Sequence, residues 1–175
     1  ADTVGVSFEK EPGETKTASA GWYNNRAFEK RARAAGRIAV TVEGDAFSDA
    51  GKAQTIAAIK EHLGQVDLVV YSLASPVRTD PKTGTVYRSA IKPMGEAVRS
   101  KTLDTGTGEV SEVEIAPATA EEAEATVKVM GGEDWELWIA ALAEAKVLAP
   151  DFLPLNYTYL GSELTWPIYH KGTLG

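Results

Sequence analysis

Three β-branched, apolar runs, Thr3–Phe8, Arg37–Val42 and Val66–Ser72, alternate with two stretches of helical length. Strands joined by helix-length crossovers lie parallel, because a tight turn cannot bring the second strand back in the same direction. Trp22–Ala35 carries Trp22, Ala27, Phe28, Ala32 and Ala35 on an irregular apolar face, and Gly36 is a stop signal. Ser48 is placed to cap a second helix whose Ile56, Ile59 and Leu63 share one face, with Gly64 closing it. The order β-α-β-α-β predicts an α/β fold with a Rossmann-like, doubly wound parallel sheet.

After Pro76 the regularity lapses. Asp80-Pro81-Lys82-Thr83-Gly84 is a turn signal between two short candidate strands within Arg78–Ser89, an inserted hairpin. Glu109–Ile115 alternates polar and apolar residues, as an exposed strand does. Thr119-x-x-Glu122 is a capping box opening a helix to about Met130, Gly131-Gly132 breaks it, and Glu133–Lys146 forms another. Residues 76–150 therefore read as an excursion between two sheet strands, with strand character resuming over Asn156–Leu160.

Composition excludes several classes of function. There is no cysteine, which removes disulfides, thiolate chemistry and cysteine-held metals. The two histidines, His62 and His170, lie in no metal-ligand spacing, so no metal site is expected. A net charge of −7 argues against a nucleic-acid surface, and no apolar run is long enough to span a bilayer. Residues 109–136 hold nine acidic side chains and one lysine, a solvated face more readily than a docking face for a basic partner.

The strand ends hold the residues that can contact a ligand, because open α/β sheets bind ligands beyond the carboxyl ends of their strands. Phe8 and Glu9 end the first run; an acidic residue there can bond ribose hydroxyls and repel a 2′-phosphate, or be a solvated loop charge. Asp45-Ala46 follows the second run, where the acid can face an adenine edge or simply form a turn after Gly44. Leu73-Ala74 ends the third, small enough for close approach or for a tightly packed turn. Tyr157, Tyr159 and Tyr169 can donate to an oxygen that becomes negative during a reaction, or pack in a core.

These blocks resemble the trans-2-enoyl-CoA reductases and the related single-chain enoyl-acyl-carrier-protein reductases. The resemblance is carried by Ala20-Gly21-Trp22-Tyr23-Asn24, Gly44–Asp49, Val70–Gly84, Met130–Ile139, Tyr157–Gly161 and Pro167-Ile168-Tyr169. It implies NADH-dependent reduction of the C2=C3 double bond of a 2-enoyl thioester, in fatty acid synthesis, carried by CoA or by acyl-carrier protein. It further implies that Tyr169 is catalytic and that Tyr159 contacts the substrate. Phe8, Glu9, Asp45, Ala46, Leu73 and Ala74 would bind the cofactor, Glu9 selecting NADH over NADPH.

By the same resemblance, residues 1–175 form a partial NAD-binding domain. The Gly-rich phosphate loop would precede Ala1 and the catalytic lysine, in a Tyr-x8-Lys pattern, would follow Gly175. Lys171 stands only two residues after Tyr169 and does not fit that pattern. The chain by itself is then expected to be inactive, and a non-catalytic folded core is the alternative. A short-chain carbonyl reductase is the weaker one, since its usual spacing is Tyr-x3-Lys. The implied compartment is the cytoplasm in a bacterium, or the mitochondrion in a eukaryote; oligomeric state is left open.

Overall fold

The structure, a computed structural model, describes residues 1–174. The chain divides into two units. The first holds Ala1–Val69, Asp80–Gly84 and Asp134–Leu155; the second holds Val70–Thr79, Thr85–Glu133 and the residues from Asn156 onward.

In the first unit, β1 (Thr3–Ser7) pairs in parallel with β2 (Ala39–Glu43), Thr3 against Ala39 through Ser7 against Glu43. The crossover between them is α1 (Ala20–Ala34), which packs on β2. Gly36, at φ 67°, takes the left-handed turn out of the helix that a side chain would disfavour. α2 (Asp49–His62) follows and lies against both β1 and β2. The Ser48 hydroxyl accepts from the Gly51 N–H at 2.9 Å, satisfying one of the four N–H groups a helix leaves open at its start. β3 (Val66–Tyr71) then begins, and its partner is β8 (Leu148–Asn156). Among the described residues the β1–β2 and β3–β8 pairs are not hydrogen-bonded to each other. Ala46, Phe47, Ile59, Trp138, Leu142 and Val147 are the buried apolar centre of this unit.

The second unit contains β4 (Val77–Thr79) and β5 (Val86–Arg88), antiparallel, then β6 (Val98–Leu103) and β7 (Val110–Ile115), also antiparallel. α3 (Ala120–Met130) packs on the β4–β5 hairpin. Both halves of its capping box form: Glu122 N–H to Thr119 Oγ1 at 3.2 Å, and Thr119 N–H to Glu122 Oε2 at 3.0 Å. Its end is set at Gly131, where a Cβ would overlap the Val127 carbonyl. α4 (Glu133–Glu144) starts two residues later and carries the chain back into the first unit.

Two elements differ from the sequence expectation. β6 was not anticipated, so the excursion holds two hairpins where one was expected; Val98-Arg-Ser-Lys-Thr-Leu103 has too few apolar residues to stand out, and it is a strand because β7 pairs with it. The last strand is Leu148–Asn156, and 157–160 have no regular structure. Pro150 and Pro154 disguise it, since proline withdraws a ladder donor and is confined to edges, starts and bulges of strands.

No helix is long and apolar enough to cross a membrane among the described residues.

Candidate functional site

In the first unit, the candidate residues sit just past the carboxyl ends of β1 and β2. Phe8 follows β1 and is 82% exposed. Glu9 is half-buried, and its backbone N–H donates to Glu43 Oε2 at 3.4 Å. Its carboxylate lies directly over Gly21 in the first turn of α1; a Cβ on Gly21 would overlap it. Gly21 therefore has a geometric purpose that the sequence alone did not disclose. Arg26 is the nearby cation, and its guanidinium is engaged by Glu29 at 3.1 Å and Glu43 at 3.4 Å. Glu9 and Glu43 thus place two carboxylates beside the ends of β1 and β2, a setting of negative charge that disfavours a further anion.

Past β2 the turn Asp45–Ser48 is tightly tied. The Phe47 N–H donates to Asp45 Oδ1 at 2.9 Å, and the Ser48 hydroxyl donates to the Asp45 carbonyl at 2.7 Å. Gly51 matters here too: a Cβ at that position would overlap the Asp45 carbonyl. Ala46 is buried, and Asp45 remains partly accessible beside it. The Ala46 carbonyl accepts from the Trp138 indole N–H at 3.0 Å.

In the second unit, Leu73 and Ala74 lie in the irregular segment after β3, with Leu73 half-buried and Ala74 exposed. Ser75 stiffens that segment by donating to the Val77 carbonyl at 2.7 Å and accepting from the Val77 N–H at 3.2 Å. Tyr159 and Tyr169 come together: their rings stand edge to face, centroids 4.9 Å apart, at 62°. Tyr159 is 58% exposed and Tyr169 is half-buried. Lys171 places its ammonium 5.5 Å from the Trp166 ring centre, a cation–π contact.

The Tyr169 loop is anchored at one place. Gly172 bridges to Pro93, the Thr173 N–H donates to the Lys92 carbonyl at 3.0 Å, and the Thr173 hydroxyl donates to the Ala90 carbonyl. The Ala90 N–H in turn donates to Thr126 Oγ1 of α3 at 2.9 Å. Sequence reasoning did not single out Thr126 or Thr173; a lone threonine carries no signal until its partner is known.

Among the described residues no group of three His, Asp or Glu side chains is arranged to hold a metal.

Residues 16–175 match a protein family described as the trans-2-enoyl-CoA reductase catalytic region. The chain is 57% identical over its whole length to a Pseudoalteromonas atlantica protein named enoyl-[acyl-carrier-protein] reductase [NADH], of which it covers 44%. Its structure superposes on Treponema denticola trans-2-enoyl-CoA reductase in complex with NAD with a TM-score of 0.93, at 52% identity, covering 100% of this chain and 44% of that one. A Clostridium acetobutulicum trans-2-enoyl-CoA reductase in complex with NADH gives 0.91 at 40% identity, covering 99% and 44%. The chain thus spans less than half the length of these relatives, and the Rossmann-like α/β fold is common to all of them.

Proposed function

Because the chain belongs to the trans-2-enoyl-CoA reductase family, we propose that the protein it belongs to reduces the C2=C3 double bond of 2-enoyl thioesters with NADH. The observation that carries the reading is the Tyr159–Tyr169 pair, two phenols brought together at the end of the second unit. A hydrogen-bond donor aimed at an oxygen gains most when that oxygen becomes negative.

In this reading NADH, when bound, would supply the hydride that the β-carbon accepts, and the α-carbon then takes a proton, so that the C2=C3 double bond becomes a single bond. Tyr169 donates its O–H to the thioester oxygen as negative charge gathers there, and Tyr159 fixes the thioester beside it. Glu9 contacts the adenosine ribose, beside Phe8, and its charge disfavours a 2′-phosphate. Asp45 and Ala46 border the adenine, while Leu73 and Ala74 let the nicotinamide half approach the backbone. The acyl carrier is CoA or acyl-carrier protein, and the compartment is the cytoplasm for a bacterial host.

The test is direct. A polypeptide containing this chain and extended to the length of its relatives is mixed with NADH and crotonyl-CoA, and absorbance of the reduced cofactor is followed. The expected result is NADH consumption, with NADPH used far less well. Folded protein that consumes no NADH with any 2-enoyl thioester would sink the reading.

A further inference from the structure

Lys52 is a buried cation in the first unit that the reaction chemistry leaves unused. Its side chain is 5% exposed, and its ammonium makes three contacts: Asp134 Oδ1 at 2.7 Å, the Phe47 carbonyl at 3.0 Å and the Ala46 carbonyl at 3.3 Å. An ammonium has three N–H donors, and here each finds an acceptor. Asp134 is 1% exposed. Trp138 adds a second donor to the Ala46 carbonyl and places its ring 5.3 Å from the same ammonium.

Burying two charges is costly, and an apolar pair of similar volume often gives equal or greater stability. Stability alone therefore accounts poorly for this pair. What it achieves is geometric. Two successive carbonyls of the turn after β2 are held by side chains from α2, five and six residues on in the chain, and from α4, 92 residues on. The Phe47 N–H orients the Asp45 carboxylate, so the clamp on Ala46 and Phe47 also sets where that carboxylate points.

We propose that Lys52, held by Asp134, is a positioning residue of the adenine subsite: it fixes the Asp45–Phe47 turn so that Asp45 meets the exocyclic amine of an adenine nucleotide. This rests on the reading of Asp45 and Ala46 as cofactor contacts. The ligand class is one with an adenine and a diphosphate, and the effect falls on its adenosine half.

The test uses the extended, active protein. Lys52→Met alone leaves a buried Asp134 carboxylate without the lysine charge, so the informative variant is Lys52→Met with Asp134→Asn, which removes both charges with little change in volume. The expected result is a KM for NADH and an inhibition constant for ADP-ribose that rise together by about tenfold, the factor set by one well-placed hydrogen bond. The turnover number at saturating NADH falls less than about twofold, which general loosening of the fold would not spare. A turnover number that falls while the NADH and ADP-ribose constants stay fixed overturns the proposal. Asp45→Ala, measured in parallel, separates the two possible failures. If it weakens NADH and the double variant does not, Lys52 is removed from the role. If neither weakens NADH, the adenine subsite itself is misassigned and the proposal falls with it.

Discussion

Tyr169 packs its ring on Tyr159, and that contact needs no hydroxyl. Tyr169→Phe therefore preserves the packing and deletes only the donor. In the extended protein we expect the turnover number to fall by about 10²–10³, the usual cost of one donor to a developing oxyanion, with the KM for NADH nearly unchanged. Steady-state kinetics on both substrates checks this, and an unaltered turnover number takes Tyr169 out of the chemistry. Phe8, Glu9, Asp45, Ala46, Leu73 and Ala74 stand out in the sequence because they follow strand ends, and Tyr159 and Tyr169 because a phenol can donate to an oxyanion. Their supports do not. Lys52 meets Asp134 from 82 positions away, and Trp138 meets Ala46 from 92. The acidic stretch over 109–136 shows the same limit. Read alone it is a solvated face, yet Glu114, Glu122, Glu133 and Asp134 pair with Arg99, Lys92, Arg78 and Lys52, three of them upstream of β6.

At the scale of elements, α3 and the start of α4 are pinned by ion pairs that titrate. Lys128 and then Arg78 hydrogen-bond to Glu133 and hold its carboxyl below its ordinary value of 4.5. Lys92 and the Thr119 N–H do the same for Glu122. A carboxyl whose folded value is depressed contributes stability above its unfolded value and loses that contribution as pH falls through the folded one. We expect the melting temperature to drop on acidification below about pH 4.5, and Glu133→Gln to show a smaller drop than the parent chain. Melting curves at a series of pH values settle it; equal slopes in the two proteins would exclude a role for Glu133. Helix positions were readable in advance because their signals are local. The Thr119–Glu122 box and the Ser48 cap each lie within one turn. β6 and β8 were not, because a polar strand and a proline-bearing strand are defined by the partners they find.

At the scale of the molecule, the sheet poses its own question. Parallel strands are ordinarily covered on both faces and paired on both edges unless they end the sheet. β3 has half-exposed apolar side chains, Leu68 at 53% and Val70 at 49%, and among the described residues β1 and β3 each have one hydrogen-bonded neighbour. In the doubly wound order 3-2-1-4-5, β2–β1 and β3–β8 correspond to 3-2 and 4-5. In that order the place between them would be taken by strand 1, the strand that leads into the phosphate-binding turn. We therefore expect the 175-residue chain alone to bind the dye ANS strongly and to bind NADH weakly or not at all. The protein extended to its relatives' length should lose the dye signal and gain micromolar NADH binding. Dye fluorescence and calorimetric titration on both forms supply the comparison. Micromolar NADH binding by the 175 residues alone would mean that β1, β2 and β3 need no strand between them to form the cofactor cleft, and the assignment of that place would have to be abandoned.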